Sequence, residues 1–350
     1  MVLHDTIPRP GMHVYGIQIP ITGSNALRSL KHLLDQEDLA ARREQWLVEE
    51  AMQPLGRDAV RGTHDPAYVD RLMAPGDPGF LLDREPNDPE REVIRAFELV
   101  SEDGSFHRFD PGAADRTLTE LRDQSLRLAY GTSRGARLAL DHEEHFVFYF
   151  GGGMHHGQYD FGEGFCLVND LVIAVRGLQS EGRIGQAWIV DVDAHKGDGT
   201  AALTAGDEGI RTLSVHMADG WPMDQPRVLS DGRANPSFVP SDIDVPIAAG
   251  EEAQYLPRLR EAMAEMERRY GVPEFLLVVD GADPYERDQL PSAELLKMSR
   301  EAMLERDTLL YRWFRERGVP ALFVMAGNYG YHSWEIYSQF LERQLRGELD

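Results

Sequence analysis

The sequence predicts an α/β protein in which a central, mostly parallel β-sheet lies between two layers of helices. Short apolar runs rich in β-branched and aromatic residues recur along the chain, and each ends in Gly, Asp, Asn or His. Such runs are typical of strands buried on both faces. Longer segments with helical spacing lie between them. Alternation of strands and helices produces parallel strands joined by right-handed crossovers.

Six apolar runs are predicted as strands and four segments as helices. The predicted strands cover residues 12–21, 146–150, 187–193, 210–217, 275–279 and 321–325. The predicted helices cover residues 118–140, 170–180, 251–270 and 292–317. Residues 74–111, rich in Pro, Gly, Asp and Glu, are predicted as a long surface loop with a short helical patch near 90–99. We find no internal repeat, so one domain is predicted over residues 1–350.

The composition limits the classes of function. The 350 residues carry 59 acidic and 36 basic side chains, a formal charge of −23, which argues against binding to a nucleic-acid backbone and suits a cationic substrate. A single cysteine, Cys166, excludes an intrachain disulfide and a cysteine-cluster zinc site. There is no signal-peptide pattern and no apolar run of about 18 residues. We therefore expect a cytoplasmic protein without a membrane partner.

Polar side chains collect where the predicted strands end. Buried parallel strands present functional groups just past their carboxyl ends, at one edge of the sheet. The residues found there are His155, His156, Asp191, Asp193, His195, Ser214, His216, Asp283, Tyr329 and Tyr331. Carboxylates and imidazoles are therefore predicted to converge on one edge of the sheet.

The spacing of Asp191, Asp193 and His195 is two residues, which places all three side chains on the same face of an extended segment. Asp283 arrives from another strand end. Two carboxylates and one imidazole with an open position describe a catalytic site for a divalent metal such as Zn²⁺ or Fe²⁺. The alternative is that these acids cap helices or pair with arginines.

His155 and His156 follow three glycines. Adjacent side chains diverge, so the two imidazoles do not easily bind one metal. Two imidazoles that are each held by a carboxylate are better suited to act as an acid–base pair. The alternative is that they are ordinary turn residues.

The motifs, taken in order, resemble the metal-dependent histone deacetylase family. That family includes acetyl-lysine deacetylases, acetylpolyamine amidohydrolases and acetoin-utilisation-type proteins, and it shares its fold with arginase. The similarity extends from about Leu27 to the carboxyl end. The motifs that carry it are HDPAYV at 64–69, GGMHH at 152–156, GFCLVND at 164–170, DVDAHKGDG at 191–199, GAD at 281–283 with Asp288, and GNY at 327–329.

The resemblance implies roles for particular residues. Asp193, His195 and Asp283 would bind the catalytic Zn²⁺ or Fe²⁺, and Tyr329 would donate a hydrogen bond to the substrate carbonyl. His155 and His156 would be the tandem histidines next to a water held by the metal. Asp191 would orient His155, and Asp198 would orient His156. A structural K⁺ site would be formed by Asp191, Asp193, His195, Ser214 and the carbonyl of Val215.

The resemblance also implies a substrate tunnel. Phe165 and Trp221 would form its aromatic walls, Gly164 would line it, and Asp110 would hold the substrate backbone at its rim. Several residues depart from the family pattern, and one tyrosine competes for a role. Lys196 stands in place of a histidine, Asn328 in place of a glycine and Asp280 in place of a small or apolar residue. Trp221 is bulkier than the usual phenylalanine. Tyr331 is an alternative to Tyr329 as the tyrosine that contacts the substrate carbonyl.

The function implied by the resemblance is metal-dependent hydrolysis of an N-acetyl amide, of the acetyl-lysine or acetylpolyamine type, to acetate and a free amine. The partner would be a small molecule or a peptide, and the loop at 74–111 would roof the tunnel or make a homo-oligomer contact. One alternative is a homologue that binds acyl-amines without turnover. Another is a ureohydrolase of the arginase type, which uses two manganese ions and a Gly-Gly-Asp-His segment that this sequence lacks.

Overall fold

The computed structural model describes residues 1–76, 85–101 and 103–349. Within these residues, eight strands form one sheet in the order β2-β1-β3-β8-β7-β4-β5-β6, and every neighbouring pair is parallel. The strands are β1 (Val2–Asp5), β2 (Leu47–Glu50), β3 (Phe146–Tyr149), β4 (Ala187–Asp191), β5 (Ile210–Met217), β6 (Ile243–Ile247), β7 (Phe275–Asp280) and β8 (Ala321–Met325). This sheet confirms the predicted α/β fold class.

Helices cover both faces of the sheet. They are α1 (Ser24–Leu34), α2 (Glu37–Ala40), α3 (Arg43–Trp46), α4 (Arg57–Arg61), α5 (Pro66–Leu72), α6 (Asp88–Ala96), α7 (Leu118–Asp141), α8 (Asp170–Ser180), α9 (Asp198–Thr204), α10 (Tyr255–Tyr270), α11 (Arg300–Arg317) and α12 (Trp334–Leu345). Among the described residues, no helix combines the length and the apolar character that a membrane crossing requires.

Strand β3 shows why the central strands are apolar throughout. Its side chains alternate between the two faces of the sheet. Phe146 and Phe148 belong to a core shared with α1, α10, α11 and α12, whereas Val147 and Tyr149 belong to a core shared with α7 and α8. Both faces are therefore buried, and the sequence shows a continuous apolar run instead of an alternation.

The predicted strand at 12–21 is wrong. Met12–Tyr15 forms a short 3₁₀ helix, which ends at Gly16 with a left-handed backbone (φ 74°). Past this turn, Ile17 and Ile21 take part only in isolated antiparallel bridges. The apolar side chains of this segment are buried in a core shared with α5, α6 and α7, so burial against helices without a sheet partner produced the misleading pattern.

Other boundaries also differ from the prediction. The helix predicted at 292–317 begins only at Arg300, because the Ser299 hydroxyl caps it by accepting the Ala302 N–H at 3.2 Å. Strands β1, β2 and β6 were not predicted, since they are short and carry charged residues or proline. In the predicted loop at 74–111, the helical patch lies in α6, and residues 77–84 and 102 lie outside the described residues.

Candidate metal and acid–base site

The three predicted metal ligands lie together at the edge of the sheet. Asp193 and His195 follow β4, and Asp283 follows β7, which pairs with β4. One ligand atom from each residue lies within 4.8 Å of the other two. Nδ1 of His195 lies 3.2 Å from Oδ1 of Asp193 and 3.0 Å from Oδ2 of Asp283. The site is therefore a compact, buried group of two carboxylates and one imidazole.

The electrostatics of this group fit a divalent cation. Burial, followed by the charge of Asp193, raises the pKa of Asp283 to about 6. Oδ2 of Asp283 is buried and accepts no hydrogen bond from the described residues apart from its contact with the His195 ring. Three protein ligands of this kind, with room for a fourth, are typical of catalytic zinc sites. A bound cation would neutralise the repulsion between the two carboxylates.

Backbone N–H groups hold the carboxylates in place. The Ala194 N–H donates to Oδ1 of Asp283 at 3.0 Å, and the Gly327 N–H donates to Oδ2 of Asp193 at 2.9 Å. The His195 N–H donates to Oδ1 of Asp193 at 3.0 Å. Such contacts around ligands fix their orientation and tune their affinity for metal. The ligand atoms are therefore positioned by the loops that follow β4, β7 and β8.

The imidazole of His195 has a partner on its other side. Its Nε2 lies 3.2 Å from the hydroxyl of Ser292. This contact fixes the orientation of the ring, with Nδ1 directed toward the two carboxylates. Ser292 was not singled out in the sequence, because nothing in its local pattern links it to a residue 97 positions away.

A buried arginine lies beneath the ligand loops. The guanidinium of Arg306, on α11, donates to the carbonyl of Val192 at 3.0 Å and to that of Gly281 at 2.7 Å. It also forms ion pairs with Asp280 and Asp307, and all three side chains are buried. One cation therefore joins the end of β4 to the end of β7, and the unusual acid at Asp280 is its partner.

The tandem histidines stand on a turn that glycine makes possible. Gly152 and Gly153 have φ values of 80° and 83°, which side chains with a β-carbon rarely adopt. The carboxylate of Asp170, at the start of α8, accepts the N–H of Gly153 at 3.0 Å and that of Met154 at 2.7 Å. The turn after β3 is thereby fixed immediately before His155.

Each histidine is paired with its own carboxylate. Nδ1 of His155 lies 2.7 Å from Oδ2 of Asp191, and Nδ1 of His156 lies 2.6 Å from Oδ1 of Asp198. The two rings lie 3.9 Å apart between centroids. The Nε2 atom of His155 lies 3.7 Å from Oδ1 of Asp193. The structure therefore brings the two predicted dyads next to the candidate metal ligands.

The two imidazoles have opposite charge preferences. Burial lowers the pKa of His155, but the carboxylates of Asp191 and Asp193 outweigh it and raise that pKa to about 9. Burial, and next the neighbouring His155, lower the pKa of His156 to about 4. Near neutral pH the pair therefore offers one proton donor and one proton acceptor, an arrangement that can carry out general acid–base chemistry.

A cavity of about 410 Å³ adjoins these groups. Its lining includes His156, Gly164, Phe165, His195, Trp221 and Tyr329. The Trp221 ring lies edge-on to the His156 ring with 4.4 Å between centroids, and the Phe165 and Tyr329 rings are 6.4 Å apart. Four predicted tunnel and cavity residues, Gly164, Phe165, Trp221 and Tyr329, therefore line one cavity together with His156 and the candidate ligand His195.

The two candidate tyrosines lie in different environments. Tyr329 lines the cavity, and its N–H donates to Oδ2 of Asp288 at 2.9 Å. Tyr331 is 66% exposed. Burial, followed by the charges of Asp283 and Asp193, holds the pKa of the Tyr329 hydroxyl well above its usual value. Of the two, Tyr329 is placed to donate a hydrogen bond inside the cavity.

Three of the residues predicted to bind K⁺ lie on neighbouring strands, and the other two are the candidate metal ligands Asp193 and His195. Asp191 and Ser214 face each other in the pairing of β4 with β5, and Val215 follows Ser214 on β5. Oδ1 of Asp191 accepts the Asp193 N–H at 3.1 Å. The neighbouring strand ends thus bring these residues together, and K⁺ binding stays a prediction.

Asp110 is placed differently from the cavity residues. It is exposed, and its Oδ1 accepts the Gly112 N–H at 2.9 Å. It borders a shallow depression next to His13 and Gly16 and is not among the described residues that line the 410 Å³ cavity. Its role at the rim of a tunnel stays a prediction based on resemblance alone.

Two residues that depart from the family pattern have structural partners. The Lys196 ammonium is buried and donates to the carbonyls of Val239 at 2.6 Å and Ser237 at 3.5 Å. The Asn328 amide donates to the carbonyl of Ala326 at 2.5 Å, within the loop that carries Tyr329. Lys196 therefore anchors the segment after β5 and is not a surface side chain.

Comparisons with known proteins are consistent with this geometry. The model of the histone deacetylase domain matches residues 24–346. An uncharacterised protein of Picosynechococcus sp. is 30% identical over 62% of this chain and 64% of its own length. Histone deacetylase 2 of Arabidopsis thaliana is 28% identical over 63% of this chain and 53% of its own length. A probable deacetylase of Archaeoglobus fulgidus is 27% identical over 61% of this chain and 58% of its own length. The matched region spans less than two thirds of each of these relatives.

Proposed function

Because this chain belongs to the histone deacetylase family, whose members are metal-dependent enzymes of the hydrolase type, we propose that it hydrolyses an N-acetyl amide to acetate and a free amine. The observation that carries this proposal is the pair of His–Asp dyads beside the group Asp193, His195 and Asp283, from which His156 and His195 line one cavity. When bound there, a divalent metal such as Zn²⁺ or Fe²⁺ would polarise the acetyl carbonyl and acidify a water molecule.

The histidines would move the protons. His156, neutral near pH 7, accepts a proton from the attacking water at Nε2, and Asp198 stabilises the imidazolium that forms through its contact with Nδ1. His155, which holds a proton near pH 7, donates it from Nε2 to the departing amine, while Asp191 fixes its ring. One proton is thus taken from water and one is given to the amine, which leaves His156 protonated and His155 neutral. The cycle closes when His156 releases its proton to solvent and His155 takes one up.

Tyr329 would stabilise the negative charge that develops on the carbonyl oxygen. Its hydroxyl keeps its proton at working pH, because burial and the nearby carboxylates oppose ionisation. A donor that is fixed in a water-poor site needs no rearrangement when charge develops. The aromatic rings of Phe165 and Trp221 would hold a slender alkyl chain and exclude branched substrates.

The charge of −23 favours cationic substrates, which include acetylpolyamines and lysine-rich peptides. We therefore propose both classes as candidates. The structural K⁺ site formed by Asp191, Asp193, His195, Ser214 and Val215 belongs to the same proposal. It would fix the strand ends that carry the metal ligands.

Replacement of Tyr329 by phenylalanine tests the proposal directly. Loss of one donor to a developing oxyanion lowers kcat by about 100- to 1000-fold in other enzymes, and we expect a loss of that size here. The assay is acetate release by zinc-reconstituted protein from an acetyl-lysine peptide, acetylputrescine, acetylcadaverine and acetylspermidine. Tyr331→Phe is the matched control, because its ring is exposed, and it should retain full activity. Turnover that survives in Tyr329→Phe, or no turnover of any substrate by the metal-loaded wild type, would contradict the proposal.

Replacement of Gly164 by alanine tests the tunnel. A β-carbon there would lie 2.4 Å from the Trp221 ring and 2.5 Å from the His156 ring, so both rings have to move. A displacement of about 1 Å in an active site can cost on the order of 100-fold, and we expect a loss of about that size in kcat/KM with unchanged metal content. Gly182→Ala is the control, because it also has a positive φ but no atom within 4 Å of the new β-carbon. Equal kinetics for the two variants would show that Gly164 does not limit the tunnel.

A further inference from the structure

The His156–Asp198 dyad continues into a second carboxyl group. Oδ2 of Asp198 accepts a hydrogen bond from the side-chain amide of Gln158 at 3.1 Å. The same amide nitrogen donates to Oε1 of Glu163 at 2.7 Å. The hydroxyl of Ser237 also donates to Oε1 of Glu163, at 3.3 Å. A chain of side-chain contacts therefore leads from His156 to Glu163, which immediately precedes the tunnel residue Gly164.

Two carboxyl groups thus share one amide group in a largely buried place. Asp198 has no exposed surface, and its contact with His156 favours its ionised form. Burial, followed by the charge of Asp198, raises the pKa of Glu163 to about 8. Near neutral pH, Glu163 is therefore mostly protonated while Asp198 carries the negative charge.

The other titratable groups of this neighbourhood are arranged around Asp198 and Ser237. The His155 ring lies 3.9 Å from the His156 ring between centroids, and its Nδ1 contacts Asp191 and not Asp198. The ammonium of Lys196 donates to the backbone carbonyl of Ser237 at 3.5 Å. Neither group is in hydrogen-bond contact with Glu163, so its principal charged neighbour is Asp198.

We propose that Glu163 is a positioning residue that acts on His156 through Gln158 and Asp198 and sets the charge behind this imidazole. The role in catalysis rests on the proposed function, whereas the link between the two side chains does not. When Glu163 is protonated it is neutral, and Asp198 provides the one negative charge next to His156. Once ionised, it adds a second negative charge, which stabilises the imidazolium and raises the proton affinity of His156.

The test is a titration of the histidine side chains by nuclear magnetic resonance, using zinc-loaded protein with ¹⁵N-labelled histidine. The signals of His156 are assigned from their absence in His156→Gln. In the wild type we expect a step near pH 8 in the His156 signals, caused by ionisation of Glu163. In Glu163→Gln, which keeps an acceptor for Gln158 and Ser237, that step should disappear, whereas the titration of His155 should remain.

Ser237→Ala is a second variant that keeps the charge. The Ser237 hydroxyl lowers the pKa of Glu163, so removal of this hydroxyl should move the step in the His156 signals to higher pH. A step that is unchanged in Glu163→Gln or in Ser237→Ala would overturn the proposal. Because no substrate is present, the result is independent of whether the protein proves to be a deacetylase. If it is one, the pH profile of kcat should lose the same ionisation in Glu163→Gln.

Discussion

Replacement of Asp283 by asparagine is expected to abolish stoichiometric zinc binding and to lower kcat/KM by about a thousandfold or more. The side chain supplies one of three candidate ligands, and its Oδ2 has no partner among the described residues apart from the His195 ring. Charge stabilisation by a metal contributes several kcal/mol to such a reaction, and about 4 kcal/mol corresponds to a thousandfold change in rate. Metal content after dialysis and acetate release with added Zn²⁺ are the two measurements.

The amide of asparagine keeps the size of the side chain, so the loss should not result from unfolding. It also removes a negative charge that is held close to Asp193, which should leave the metal-free variant as stable as the metal-free wild type or more so. Asp35→Asn, at an exposed site after α1, is the control and should keep full metal content and activity. An Asp283→Asn variant with one tightly bound zinc and normal turnover would show that Asp283 is not a ligand.

Replacement of Arg306 by methionine is expected to lower the free energy of unfolding by about 3–5 kcal/mol, the usual cost of breaking a buried ion pair. Both acidic partners, Asp280 and Asp307, are buried and would be left without their cation. The carbonyls of Val192 and Gly281 would also lose their donor. Denaturation by urea, carried out on metal-free protein, measures the loss without a contribution from zinc.

The loss of stability in Arg306→Met should depend on pH, because protons can neutralise the carboxyl groups of Asp280 and Asp307 once their cation is removed. A buried carboxyl whose pKa is raised in the folded state destabilises the fold as pH rises from its unfolded pKa toward its folded pKa. Burial already raises the pKa of Asp280 well above its usual value. Arg306→Met should therefore be less destabilised at pH 5 than at pH 8. Arg260→Met, which breaks an exposed pair with Glu305, should cost about 1 kcal/mol or less at either pH, and an equally small loss for Arg306→Met would contradict the expectation.

The sequence was sufficient to predict the residues of the site that lie directly after central strands. Asp193, His195 and Asp283 follow apolar runs, and parallel strands bring their carboxyl ends to one edge whatever the details of packing. His155 and His156 could be placed for the same reason. The carboxylate partners of these histidines were harder to predict. Asp191 and Asp198 were assigned by resemblance, because no local pattern in the sequence indicates that they lie close to His155 and His156.

The residues that sequence analysis missed act across long separations. Arg306 reaches the ligand loops from a helix, and its contact with Val192 spans 114 positions. Glu163 lies beside a recognised motif, but its link to Asp198 depends on Gln158 and on how α9 packs, which no local spacing reveals. The wrong strand at 12–21 has a related cause, because apolar side chains can be buried against helices as well as within a sheet.

The position of β8 in the sheet has a consequence for biosynthesis. It is the last of the eight described strands in chain order, yet it lies between β3 and β7 and pairs with both. Until residues 321–325 have left the ribosome, the tandem histidines stand on one half of the sheet and all three candidate ligands on the other. A nascent chain without β8 therefore lacks the strand that joins these two halves, so we expect the candidate dyads and ligands to come together, and the proposed activity to begin, only after this strand has been inserted.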